Sequence, residues 1–231
     1  MANKISTKVM GIIRVIVGIP LMLALFFAPA GTFDWPEAWI LIIFYLLTTG
    51  GMLLWLKKND PALLKERAEA SKKKDVKAWD KWIILIYTLL VMLMVVLSGL
   101  DAVRFRWSQV PVVFKAIGFI GFIPAMLIGF RTMAHNSFLS ERVRIQEERG
   151  HRVCTTGPYR FVRHPMYAGI ILMFLCFPLA LGSLFSFIPA ALIALLFFLR
   201  TYLEDKTLQE ELAGYKEYTE QVRYRLIPKI W

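Results

Sequence analysis

With 231 residues, 57% of them hydrophobic and 19% charged, the chain lies outside the composition of soluble globular domains, and a bilayer is the expected solvent. The formal net charge of +11 does not point to nucleic acid, because the basic residues fall between apolar runs and no aromatic or Gly-rich nucleic-acid module accompanies them. Two cysteines, Cys154 and Cys176, suggest neither a disulfide framework nor a paired-thiol metal site.

A helix needs about 20 apolar residues to cross a hydrocarbon core of about 30 Å, since in lipid each backbone polar group must be bonded within its own segment. Runs of this kind predict six spans: Ile12 to Ala30, Trp35 to Leu56, Trp82 to Leu100, Val112 to Thr132, Tyr167 to Leu181 and Leu184 to Tyr202. Ala28-Pro29-Ala30 loosely fits a signal-cleavage site, but a retained first span is the main expectation. Gly118 and Gly121 sit inside the fourth span, where close helix packing is their default role. Only Gly182 and Ser183 separate the last two spans, so these form a tight helical hairpin, with Pro178 and Pro189 expected to kink its arms.

The charges sort against these spans. Of 28 Lys and Arg, three precede or open the first span, nine lie between Lys57 and Lys81, seven between Arg131 and Arg163, and six from Arg200 onward. The other side keeps Arg104, Arg106 and Lys115. The positive-inside rule then puts both termini and the two large loops in the cytoplasm, the parity that six spans require. Trp35, Trp39, Trp55, Trp79, Trp82 and Trp107 cluster near span ends, where an amphipathic ring belongs.

Between spans, Asp60 to Asp80 reads as a solvated amphipathic helix on an anionic leaflet. Val143 and Ile145 alternate with polar residues ahead of the turn-like Glu148-Arg149-Gly150 and Val153, which predicts a short cytoplasmic β-hairpin. Leu203, Leu208, Leu212 and Tyr215 near helical spacing predict a cytoplasmic C-terminal helix. The expected fold class is all-α integral membrane with that hairpin, divided into residues 1–135 (four helices and a basic loop) and residues 136–231 (the second large loop, the helical hairpin and the tail), the latter being the cofactor-binding region that the family resemblance given below implies.

Convergent polar groups concentrate in two places: His151 to Gly169, where a loop enters the fifth span, and Arg200 to Pro228. Gly157-Pro158 predicts a turn, and Pro165 biases His164 away from helix, so this loop can offer backbone groups to a polar ligand. Taken singly, the residues have plain readings. His164-Pro165 is a helix cap, Arg160 and Arg163 hold lipid phosphates, and Tyr159 and Tyr167 anchor at the interface. Glu204 and Asp205 mark a span end, although carboxylates so close to membrane depth are costly enough to suggest function. His135, His151 and His164 lack metal-ligand spacing, and no P-loop, nucleophile elbow or strand-borne G-x-G-x-x-G occurs, so no metal site is expected.

The run GPYRFVRHPMYAG, preceded by His151 and followed by Glu204-Asp205, Gly214-Tyr215, Tyr218, Arg225 and Pro228, resembles the isoprenylcysteine carboxyl methyltransferase family over about residues 136 to 228. The family commonly has two glutamates where this chain has Glu204-Asp205. The resemblance implies an S-adenosylmethionine site built from His151, Val153, Thr155, Gly157, Pro158, Tyr159, His164, Pro165, Tyr167 and Gly169, with Tyr218 in the tail and Glu204 closing it. It also implies that Arg163 or Arg200 orients a substrate carboxylate, with Arg163, Arg200 and Glu204 as candidate catalytic residues. The partners implied are a lipophilic small molecule or lipidated substrate entering from the bilayer, and membrane lipids, with no nucleic acid and the oligomeric state left open. Two other classes stay open: an NADPH-dependent sterol-type membrane reductase, whose His-Pro-x-Tyr-x-Gly element is similar, and a non-catalytic membrane scaffold or transporter.

Overall fold

The computed structural model describes residues 7–70, 73 and 75–231, and side chains from residue 16 onward; it is all-helical among those residues. The helices are α1 (Thr7–Ala30), α2 (Pro36–Asn59), α3 (Pro61–Glu69), α4 (Ala78–Gly99), α5 (Val112–His135), α6 (Pro165–Leu181), α7 (Phe187–Glu211) and α8 (Tyr215–Gln221). Four are long and apolar enough to cross a membrane: α2, α4 with the π-helical turn that extends it to Arg104, α5 and α7. Two further apolar helices are shorter, Ile16–Ala30 within α1 and the 17 residues of α6. The expected six spans therefore stand at four helices of crossing length. At 1.5 Å per residue α6 spans only about 26 Å, because Pro165 opens it and the left-handed Gly182 closes it.

Outward-facing apolar side chains fit a hydrocarbon solvent: Leu47 and Leu54 are each 70% exposed and Val112 76%. The core forms where helices approach closely. A Cβ on Gly118 would stand 2.4 Å from the Ala180 nitrogen, and one on Gly121 2.3 Å from Cys176 Sγ. These two glycines let α5 and α6 pack backbone to backbone, as their placement in an apolar run predicts. Phe174, Ile193 and Phe197 join α6 to α7 and, through Met94, to α4.

Near the opposite end from the basic loops, Asp101 in the π-helical turn is fully buried and accepts hydrogen bonds from Ser108 Oγ (2.8 Å) and Ser183 Oγ (2.6 Å). At the basic end one residue serves two helices. Asp60 ends α2 because Pro61 disfavours helical geometry before it, and its carboxylate then caps α3 through Leu63 N–H at 2.9 Å.

Three sequence expectations change here. The segment after Asp60 is not a solvated helix on a leaflet: α3 covers nine residues, buries Leu63 and Glu66, and Arg67 donates to the Leu139 carbonyl at 3.1 Å. Residues 71, 72 and 74 lie outside the described part. The expected β-hairpin is absent, and residues 147–149 form a 3₁₀ turn instead. Val143 bonds with its backbone to α4, its N–H donating to Asp80 Oδ2 (3.1 Å) and its carbonyl accepting from Lys77 N–H (3.2 Å). The intervening Arg144 and Gln146 are buried too, so the apolar alternation did not mark a two-faced strand. Finally, Pro189 lies in the first turn of α7 rather than within an arm, while the helix expected to continue or follow the last span is present, α7 running nine residues past Tyr202 and the short α8 following it.

Candidate active site

A cavity of about 330 Å³ opens at the basic end, between the loop from Asn136 to Cys154, the start of α6, the second half of α7 and α8. Its size lies at the lower end of ligand pockets, and its lining mixes aromatic rings with a few charged groups.

One wall is fixed by Asp205, which is fully buried. Its carboxylate accepts from Arg163 Nε (2.7 Å) and Nη2 (3.0 Å), Arg225 Nε (2.9 Å), Tyr215 Oη (3.0 Å) and Gln209 Nε2 (2.9 Å), and lies 3.3 Å from His164 Nε2. Backbone bonds add to this clamp: Arg163 N–H donates to the Tyr224 carbonyl and His164 N–H to that of Arg225, both at 2.9 Å. Three stretches far apart in sequence are thus tied to one carboxylate.

Inside the cavity the Tyr167 hydroxyl donates to Glu204 Oε2, and the Tyr167 ring lies parallel to His164 at 5.8 Å. Arg200 sits over Tyr167, 5.1 Å from its ring centre. The i, i+4 spacing of Arg200 and Glu204 allows an ion pair, which is the plain reading of both residues. The structure pairs Arg200 elsewhere: Nε donates to Asp80 Oδ1 and Nη2 to the Glu141 carbonyl, each at 2.9 Å. Glu204 is left with Tyr167 as its hydrogen-bond partner among the described residues.

Aromatic rings around a carboxylate, on a helix whose outer face is apolar, suit a cationic ligand carried to a membrane edge. Residues 117–210, which hold most of α5, the loop, α6 and nearly all of α7, match the family model of the isoprenylcysteine carboxyl methyltransferase family. The chain is similar to this family over that segment, 94 of its 231 residues. No curated protein matches it.

The isoprenylcysteine carboxyl methyltransferase family is one of membrane methyltransferases, and the matched segment starts earlier and stops sooner than the motif residues alone imply. Tyr215, Tyr218 and Arg225 fall beyond it, yet Tyr215 and Arg225 hold Asp205, and the Tyr218 hydroxyl donates to the Tyr159 carbonyl at 2.7 Å. Of the residues named from sequence, His151, Val153, Tyr159, Arg163, His164, Tyr167, Arg200, Glu204 and Tyr218 line the cavity. Thr155, Gly157, Pro158, Pro165 and Gly169 do not. Gly157 has φ +59° and faces the His135 ring, so it shapes the turn, while Pro165 opens α6. Gly169 lets α6 approach α5, its absent Cβ falling 3.1 Å from the Ala125 carbonyl oxygen.

Arg163 departs from its expected role as a substrate clamp. Nε and Nη2 face Asp205, and Nη1 donates to the Val222 and Arg223 carbonyls at 2.7 and 2.9 Å, so its fork is committed to the fold. Its pKa is raised: burial alone would lower it, but the Asp205 hydrogen bonds and charge outweigh that. His151 is stacked on Phe138 and stays neutral at ordinary pH, its pKa lowered to about 4 by burial and then by Arg149 and Arg144. Burial raises the Tyr159 and Tyr218 hydroxyls, which act as neutral hydrogen-bonding groups.

Sequence reasoning missed a set of residues in the first half of the chain. Asp80 holds Arg200, and the buried Arg144 binds Glu66 (3.2 Å), Asp75 (2.9 Å) and Glu148, which fastens the loop beside the cavity to α3. A charged residue in a basic loop carries no local signal that it is buried. The near-invariable need to pair a buried charge becomes visible only once the partner is in place.

Proposed function

We propose that this protein is an integral membrane methyltransferase that moves a methyl group from S-adenosylmethionine to a lipophilic acceptor, such as the carboxylate of a prenylated cysteine or a related small lipid. The observation that carries this reading is the Tyr167–Glu204 pair inside a cavity built largely from the family segment. A carboxylate beside aromatic rings fits the sulfonium and the adenosine of the cofactor, and the loop from Asn136 to Cys154 offers polar groups to its edges.

Bound there, S-adenosylmethionine supplies an electrophilic methyl group. The chain's own residues supply position. Glu204, oriented by the Tyr167 hydroxyl, sets a negative charge at the cavity wall, and His164 and Tyr159 bound the space beside it. Arg200 Nη1, without a hydrogen-bond partner among the described residues, is the donor available to an acceptor carboxylate. Methyl transfer needs the acceptor in line at about 3 to 3.5 Å and water kept out, and no enzyme nucleophile is required.

Calorimetry on detergent-purified protein tests the cofactor. S-adenosylmethionine binds, and Tyr167→Ala weakens it roughly tenfold or more, the loss of a charge-assisted contact. Binding of NADPH with no binding of S-adenosylmethionine or its demethylated product would give the site to a reductase.

The proposal includes orientation. α1, α2, α4, α5, α6 and α7 alternate in direction, and the cavity shares its end with the basic loops, so both termini, residues 57–81 and residues 131–165 are assigned to the cytoplasm. The cofactor then enters from the cytosol and the acceptor from the bilayer. In sealed vesicles, cysteines placed at Lys73 and Lys216 are expected to label from the same face. Labelling from opposite faces contradicts the topology.

A further inference from the structure

Asp80 lies in the first turn of α4, outside the segment that matches the family, and is fully buried. Its Oδ1 stands 2.9 Å from both Nε and Nη2 of Arg200, and its Oδ2 accepts the Val143 N–H at 3.1 Å. One carboxylate therefore joins α4 and α7 to the loop that walls the cavity. Arg200 is one helical turn from Glu204, the spacing at which a guanidinium and a carboxylate on one helix pair readily. They do not pair here, because Asp80 holds Nε and Nη2 of the guanidinium, with the Glu141 carbonyl as a second acceptor for Nη2.

We propose that Asp80 is a positioning residue that holds Arg200 away from Glu204, so that the two opposite charges stay separate in one cavity. Glu204 is then free to face a cation and the Nη1 edge of Arg200 an anion. Without the Asp80 charge, Arg200 turns onto Glu204 and cancels both. The bland alternative is a buried ion pair that only steadies the packing of α4 on α7, in which case Asp80→Asn leaves the Arg200 charge buried and uncompensated and lowers the melting temperature, whereas an Arg200 that turns onto Glu204 keeps a partner and the melt holds. The proposal rests on the cofactor reading above, and its test separates the two.

The experiment is a double-mutant cycle on the full-length protein, with Asp80→Asn, Arg200→Gln and both together, read by calorimetry with S-adenosylmethionine. Asp80→Asn is expected to weaken the cofactor roughly tenfold, the scale of one charge-assisted contact, while the double variant binds as Arg200→Gln alone does. Melting temperatures of the same four proteins separate the two accounts: weakened binding in Asp80→Asn with a melt within a few degrees of wild type supports the re-pairing of Arg200, whereas a lowered melt that the double variant restores marks a packing ion pair and overturns the proposal. Equal losses in both backgrounds, or no loss in folded Asp80→Asn, overturn the proposal. A second arm measures binding of N-acetyl-S-farnesylcysteine against its uncharged carboxamide in the same four proteins. If wild type binds no S-adenosylmethionine, the cofactor reading fails, and the preference for acid over amide still decides Asp80: it must fall in Asp80→Asn only where Arg200 is present. A wild type with neither cofactor binding nor acid preference overturns both. Should Asp80→Asn not fold, Asp80→Glu keeps the charge but displaces the guanidinium, and the same cycle is run with it; failure of both to fold returns Asp80 to packing.

Discussion

Asp205→Asn is expected to lower the melting temperature of the purified protein on the order of 10 °C and to abolish cofactor binding with it. The substitution preserves shape but removes the carboxylate that Arg163 and Arg225 share in the clamp. Asp205 and the Arg163 guanidinium are both buried, so water replaces little of what is lost. Breaking a buried ion pair from one side costs about 3 to 5 kcal/mol, because the partner charge stays behind uncompensated. For a chain of this size that corresponds to the shift given. Loss of the clamp also frees the Arg163–His164 backbone from the Tyr224–Arg225 segment of the tail, so the start of α6 and the cavity wall move together. Thermal melts beside calorimetry check this. A normal melt with intact binding would show that Asp205 is not the hub that the geometry describes.

Glu204→Gln is expected to do the reverse: to weaken S-adenosylmethionine by ten- to over a hundredfold while leaving the melt within a few degrees. Glu204 is one residue from Asp205 but faces the other way, into the cavity, with Tyr167 as its partner. The glutamine side chain still accepts the Tyr167 hydroxyl, so the local packing holds and the change isolates the charge. A hydrogen bond or contact to a charged group contributes about 1.5 to 3 kcal/mol, which sets the range. Unchanged affinity and methyl transfer with normal expression would return Glu204 to a structural part in the fold. The contrast between the two neighbours is informative in itself: one carboxylate is tied into the fold and the other faces the cavity.

His164 and Tyr167 were legible in the sequence because they lie together where the loop enters α6, and the resemblance supplied their relation to Glu204 on α7. Four of the six expected spans were legible from apolar run length, while Ile16–Ala30 within α1 and α6 fall short of that measure, α6 because Pro165 opens it and Gly182 closes it. Arg163 was misread as a substrate clamp since its nearness to His164 says nothing about Asp205, 42 residues away. Asp80 and Glu66 lay hidden for the same reason at greater range: Arg200 is 120 residues beyond Asp80, and Arg144 is 78 beyond Glu66. The false hairpin came from Val143 and Ile145, whose alternation is a valid strand signal only if the residues between them face solvent. Arg144 and Gln146 are instead buried on Glu66 and on the Phe138 carbonyl.

The central claim is that the cavity holds a methyl donor beside a lipophilic acceptor, and incubation of the purified protein with methyl-labelled S-adenosylmethionine and a membrane lipid extract tests it most directly. Mass spectrometry is expected to find the label on a lipophilic small molecule, with transfer lost in Glu204→Gln. Demethylation of the cofactor with no labelled lipophile, or no turnover in protein that binds and melts normally, would contradict it.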